Sequence, residues 1–228
     1  KVNGDAYCWG DGTNGQIGNG SNSNRAAPTA VSGGHNFSYL IAGDMHACGL
    51  THSGSALCWG RGSSGQIGNG AKSSHPSPSL VADNHTFKIL IAGKNKTCGV
   101  TSNNQNYCWG ENLYGTIAPG EFYRSEPGLA FLDPRIINLK SGGGHSCALK
   151  SDGSAHCWGQ NYYGQLGDNT DTSRHLPTPV SGGLSFANLE LGAYHTCGLE
   201  DTGKAYCWGK NYDGQLGDNT SNNSGIKA

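Results

Sequence analysis

The hydrophobic positions of this chain fall in short bursts, each closed by turn residues, and the bursts recur along its length. Phe37–Leu50 is representative. Apolar Phe37, Leu40, Ile41 and Ala42 lead through Gly43 to Cys48 and Leu50, and the stretch reads as a strand. Ser53-Gly54 follows as a turn signal, and Ala56-Leu57-Cys58-Trp59 as the returning strand. The turn signal is echoed at Asp152-Gly153, Thr202-Gly203 and Asn3-Gly4. After each return strand comes a glycine-rich loop, Gly-Gln-Ile/Leu-Gly, at Gly15–Gly18, Gly65–Gly68, Gly164–Gly167 and Gly214–Gly217. A proline-bearing extended stretch (Pro28, Pro76, Pro78, Pro177, Pro179) then leads to the next unit. No 3.6-residue apolar period is sustained anywhere, so an all-β fold with almost no helix is expected. The longest apolar runs resemble Leu40-Ile41-Ala42, far too short to span a bilayer.

The period of this pattern is set by cysteine. Cys-Trp-Gly begins at Cys8, Cys58, Cys108, Cys157 and Cys207, at intervals of 50, 50, 49 and 50 residues. A second family, Cys48, Cys98, Cys147 and Cys197, lies ten residues upstream of the last four. Such self-similarity marks a tandem-repeat architecture, here a single repeat domain over 1–228 with units near 1–36, 37–85, 86–135, 136–185 and 186–228. The third unit departs from the others. It has Asn103-Asn104-Gln105 in place of the glycine turn, Gly115-Thr116-Ile117-Ala118 in the loop, and an inserted Glu121-Phe122-Tyr123. Drift under weak constraint is a simpler account of these changes than a special contact.

Ten residues across a tight turn place two cysteines opposite each other on antiparallel strands. Opposed Cα atoms in a non-hydrogen-bonded pair lie ~4.5 Å apart, within disulfide reach. The expected bridges are Cys48–Cys58, Cys98–Cys108, Cys147–Cys157 and Cys197–Cys207. The close C-x₂₋₄-C spacing of structural zinc sites is absent, so no metal is expected on these thiols. Bridges at this density imply an oxidising compartment, hence a secreted or cell-surface protein. Six Asn-x-Ser/Thr sequons, at Asn19, Asn36, Asn84, Asn95, Asn219 and Asn222, are candidate glycan sites. Cys8 is left over: unpaired, or bridged to another molecule. Its partner position lies before Lys1, so the chain is either a slice of a longer ring or is completed by another chain, head to tail.

Charge narrows the partners. The formal net charge is −1, from 15 basic and 16 acidic residues without a basic cluster, which argues against a nucleic-acid ligand.

Gly192-Ala193-Tyr194-His195-Thr196-Cys197-Gly198-Leu199, followed by Cys207-Trp208-Gly209 and Gly214-Gln215-Leu216-Gly217, resembles the regulator of chromosome condensation repeat family. The set recurs at Gly43–Leu50 with Cys58–Gly68 and at Gly142–Leu149 with Cys157–Gly167, so the resemblance covers essentially the whole chain. It implies a β-propeller with blades of this repeat length. Family members include a nucleotide exchange factor for a small GTPase, a plant ultraviolet-B photoreceptor, a secreted bacterial β-lactamase inhibitor and the ectodomains of crinkly-type receptor kinases. The cysteine framework is most similar to the crinkly type. A photoreceptor needs tryptophans beyond the repeat, and all five here (Trp9, Trp59, Trp109, Trp158, Trp208) belong to Cys-Trp-Gly.

Candidate chemistry reads mostly as packing. His46, His145 and His195 share one repeat position, with Lys96 in the third unit. One copy per blade keeps them apart, so hydrogen bonding within each blade is expected instead of a metal centre. The tryptophans are expected between blades, and Gly-Gln-Leu-Gly lacks the Lys-Ser/Thr of a phosphate loop. Asp168-Asn169-Thr170-Asp171 and Asp218-Asn219-Thr220 offer oxygens but fit no calcium-loop spacing. No nucleophile or acid–base couple stands out, and no cofactor is implied. The expected role is non-enzymatic: an extracellular module recognising a protein or glycan on its loops. The alternative is a structural subunit of a fibre or coat, with copies of itself as partners.

Overall fold

The computed structural model describes residues 4–113, 122–130 and 136–227. Asn3, the loop residues 115–118 and Glu121 lie outside them. Strands β1 (Tyr7–Gly10) and β2 (Arg25–Ala30) form a two-stranded sheet. Four antiparallel meanders follow. The second sheet holds β3 (Phe37–Ala42), β4 (His46–Thr51), β5 (Ala56–Gly60) and β6 (His75–Leu80). The third holds β7 (Phe87–Ala92), β8 (Lys96–Thr101), β9 (Asn106–Glu111) and β10 (Tyr123–Leu129). The fourth holds β11 (Ile136–Ser141), β12 (His145–Lys150), β13 (Ala155–Gly159) and β14 (Arg174–Pro179). The fifth holds β15 (Asn188–Leu191), β16 (His195–Leu199), β17 (Ala205–Gly209) and β18 (Ser224–Lys227). Among the described residues the only helical turn is a 3-10 turn at Ala82–Asn84. The chain divides into two compact units, the first with sheets one to three and the second with sheets four and five.

Each meander is a β-propeller blade. The expected single strand over Phe37–Leu50 is two strands, because Gly43-Asp44-Met45 turns the chain between β3 and β4. The proline-bearing stretches are themselves strands. β2, β6 and β14 pair with one neighbour only, so a proline without an N–H is tolerated there. In the third unit Asn104 takes the left-handed conformation (φ 63°) that Gly54 (φ 81°) supplies in the second. Asparagine enters that region at low cost, so the departure keeps the turn.

The Cys-Trp-Gly tripeptide has one physical task per residue. All four expected disulfides form, between Cys48 and Cys58, Cys98 and Cys108, Cys147 and Cys157, and Cys197 and Cys207, with Cα atoms 4.0–4.1 Å apart. Cys8 carries a free thiol, half-buried on β1. The glycine sits where the register shifts between the third and fourth strands, at φ 101° in Gly60 and 109° in Gly159. At Gly60 a Cβ would meet the Met45 carbonyl at 2.6 Å, so only glycine fits this bulge.

The tryptophan fills the space between blades, where the core lies. In the first unit Trp109 packs with Phe87, Leu90, Leu50, Ile67 and the Cys48–Cys58 bridge, all buried. In the second, Trp208 packs likewise with Phe186, Leu189, Leu149, Leu166 and Cys147–Cys157. Each bridge closes a local loop, which by loop entropy contributes about 2.5 kcal/mol. Replacing Cys98 and Cys108 together by serine is expected to lower stability in a urea titration by about that amount, with the strand signal in circular dichroism retained.

Candidate recognition surface

Two kinds of site repeat around these blades, one buried and one at the loops. The buried one joins neighbouring blades. His46 Nε2 lies 2.8 Å from the Thr97 hydroxyl of the next blade, and that hydroxyl donates to the Gln66 carbonyl at 2.9 Å. The same carbonyl accepts the Trp109 indole N–H at 2.9 Å. Sheets four and five repeat the set, with His145 Nε2 2.9 Å from Thr196 Oγ1, and Thr196 and Trp208 both donating to the Gln165 carbonyl. The threonine proton is spent on the carbonyl, so the imidazole must donate through Nε2. Burial holds the His46 pKa down to about 4. His46 and His145 therefore bond between blades and not within them, because their position on the second strand faces the following sheet. The glutamine ties loop to blade through its backbone; its side chain closes its own loop, as where Gln66 Oε1 accepts from Ser64 N at 2.9 Å. Lys96 replaces histidine in the third blade and is buried. Burial lowers its pKa to about 7, against the opposing pull of Glu111.

The second site lies where the β3–β4 type turn meets the β5–β6 type loop. Backbone bonds hold the two together in every complete blade: Arg61 N to Met45 O at 2.8 Å, Glu111 N to Asn95 O at 2.8 Å, Gln160 N to Gly144 O at 2.9 Å and Lys210 N to Tyr194 O at 2.9 Å. The repeat provides an internal control for these tips. Where the first two blades carry Thr13-Asn14 and Ser63-Ser64, the fourth and fifth carry Tyr162-Tyr163 and Tyr212-Asp213. Tyr194 likewise stands where the second blade has Met45. Tyr163 packs edge-on against Tyr194 at 5.6 Å and Tyr212 at 5.9 Å. Tyr162 and Tyr212 are 61% and 60% exposed. Lys210 lies 5.7 Å from the Tyr212 ring and 3.1 Å from Asp213. Hydrogen bonds brace the loops beneath. Asn161 is fully buried, donates to Asp168 and to the Thr170 and Thr172 carbonyls, and accepts from Leu166 N; Asn211 repeats most of these bonds.

The other sequence candidates are dispersed. Asn36, Asn84, Asn219 and Asn222 are exposed. Asn19 is half-buried, its side-chain oxygen accepting from Ser21 N, and the Asn95 amide donates to Glu111 at 3.0 Å. Asp168 is committed to structure: Oδ1 accepts from Asn161 and Thr170, and Oδ2 pairs with Arg174 at 2.9 Å. Burial alone would raise its pKa, but these hydrogen bonds outweigh it and hold the carboxyl below its ordinary value. Among the described residues no three His, Cys, Asp or Glu side chains converge as metal ligands. The sequence pattern did not single out Thr97, Thr196, the buried asparagines or the tyrosines. Only the substitution of tyrosine for Ser or Thr at one repeat position signalled the last of these.

Models of the regulator of chromosome condensation (RCC1) repeat match residues 3–50 and, overlapping, 136–215. No curated protein sequence matches. Among solved structures, human WBSCR16 is similar at a TM-score of 0.84 and 19% identity, over 96% of this chain and 61% of that one. Yeast RCC1 (Prp20), solved bound to Kap60, gives 0.86 and 21%, over 97% and 56%. The ectodomain of the Physcomitrella patens receptor kinase CR4 gives 0.55 and 21%, over 82% and 42%. The chain thus spans about three fifths or less of these proteins, and the likeness is one of fold.

Proposed function

The chain belongs to the regulator of chromosome condensation repeat family, and from that premise we propose that it is a non-enzymatic recognition module whose second unit holds a protein or glycan ligand on its tyrosine-bearing loops. One observation carries this reading. The same turn forms with Thr13 or Ser63 in other blades, so it does not require the exposed tyrosines at 162 and 212. Tyrosine combines a rigid apolar face with a hydroxyl and loses little entropy when a ligand covers it. The yeast relative bound to Kap60 is a protein-binding member of the same fold. Four disulfides, the exposed sequons Asn36, Asn84, Asn219 and Asn222, and the likeness to a receptor ectodomain favour an extracellular setting. No helix among the described residues is long and apolar enough to cross a membrane.

The test is a glycan microarray together with binding to secreted proteins, comparing the native chain with a Tyr162→Ser/Tyr212→Ser variant. Binding is expected to weaken by about thirtyfold or more, as for loss of aromatic anchors, while the thermal midpoint stays unchanged. Ligands that bind both forms equally would remove the tyrosine loops from the function.

A further inference from the structure

At the joints where a turn meets its neighbouring loop, the turn side chain is matched to what lies beside it. In the third blade the Asn95 amide donates to the Glu111 carboxylate at 3.0 Å. In the fifth the Tyr194 ring packs against Tyr163 at 5.6 Å. The second blade is poorly matched. Its turn carries Met45, the only methionine of the chain, and two N–H donors are set against the sulfur. Arg61 Nη1 lies 3.4 Å from Sδ, and Asn14 Nδ2 lies 3.8 Å from it. A thioether is a weak acceptor, so a guanidinium gains little there.

Both donors are held in place. Arg61 is pinned at two points, its backbone N donating to Met45 O at 2.8 Å and its Nε to Ser63 Oγ at 2.9 Å. Asn14 is tied into the β1–β2 loop, where its N donates to Gln16 Oε1 at 2.8 Å. Fixed donors around a weak acceptor suit a stronger one. A single oxygen atom added to the sulfur supplies it without moving the chain. Met45 is only half-buried, so a small oxidant can reach it.

We propose that Met45 is an oxidation site whose sulfoxide is bound by Arg61 and Asn14, so that oxidation tightens this joint. The oxidant is hydrogen peroxide. The sulfur gives an electron pair to one peroxide oxygen and forms the S–O bond. The O–O bond breaks, and the other oxygen leaves with both protons as water; sulfur is oxidised and peroxide reduced. A sulfoxide usually disrupts, because it brings a polar oxygen into apolar surroundings. Here that oxygen meets an amide and a guanidinium, and the bond to the latter is charge-assisted. Three segments converge on the sulfur: the β1–β2 loop, the β3–β4 turn and the β5–β6 loop. The modification therefore acts on the seam between the first two blades, and it does not depend on the recognition reading above.

The test treats the disulfide-bonded chain with dilute hydrogen peroxide and reads the urea midpoint, with peptide mass spectrometry placing the added oxygen on Met45. The midpoint is expected to rise by about 0.3 M. In Arg61→Leu, which keeps an apolar stem and removes the donors, the same treatment is expected to lower it. Met45→Leu is expected to show no shift, which separates the effect from oxidation of Cys8. Met45→Gln places a carbonyl oxygen near the sulfoxide position, and its midpoint is expected to exceed that of Met45→Leu without any oxidant. A Met45 sulfur that resists peroxide at concentrations that oxidise free methionine overturns the proposal. So does oxidation that lowers the midpoint equally in the native chain and in Arg61→Leu.

Discussion

Trp109→Ala is expected to cost the protein about 3–5 kcal/mol, read as a fall in the urea midpoint at neutral pH. The indole is fully buried and touches Phe87 at a centroid distance of 5.8 Å. Its removal opens a cavity that little can refill. On one side is Gly68, which has no side chain to move in, and close by is the covalently fixed Cys48–Cys58 bridge. It also removes one of the two hydrogen bonds on the Gln66 carbonyl, leaving that from Thr97. Trp109→Phe keeps most of the apolar volume but loses the N–H and the five-membered ring, so it is expected to cost about 1–2 kcal/mol. Equal losses for the two variants would mean that the hydrogen bond, and not the packing, holds these blades together.

Acid is expected to weaken the fold through His46, by roughly 3 kcal/mol between pH 6.5 and about 4. The sign follows from burial. The unfolded chain takes up a proton near the ordinary value of 6.5, while the native imidazole, buried and already donating to Thr97, resists protonation until about 4. Between those limits the unfolded state binds more protons, so stability is fully present above pH 6.5 and drains away as pH falls. Lys96 adds a second window in the same direction. Its native pKa of about 7 lies below the ordinary 10.5, so stability rises as pH climbs through that range. His46→Gln keeps a side-chain donor without the titration. Urea midpoints at several pH values between 4 and 7 are expected to show a slope shallower by about one proton in this variant. An unchanged slope would place the acid sensitivity elsewhere.

Much of the scaffold was legible in the sequence because it rests on local rules. The ten-residue cysteine spacing specifies a hairpin, glycines mark turns, and alternation marks strands. The four-stranded count was not, because Gly43-Asp44-Met45 has weak turn chemistry and the apolar pattern runs through it. Interblade partners were hidden for a different reason. His46 and Thr97 are 51 residues apart and meet only when two blades stack, a distance no local pattern encodes. The tyrosine loops lie between these cases. Tyr163, Tyr194 and Tyr212 come from three loops, and only the fold brings them together, but the break in repeat composition at those positions is visible in the chain itself.

The state of the Cys8 thiol bears on how the protein survives oxidation and storage. Exchange among sulfurs requires an attacking thiolate, and burial pushes the Cys8 pKa up, keeping it in the protonated, sluggish form. Within its own compact unit, the Cys48 and Cys58 sulfurs lie in residues with no exposed surface. An odd cysteine among eight bridged ones usually invites scrambling. Here the Cys48–Cys58 bond is sealed from the thiol in its own unit, and it can be remade within its own hairpin without help from the rest of the chain.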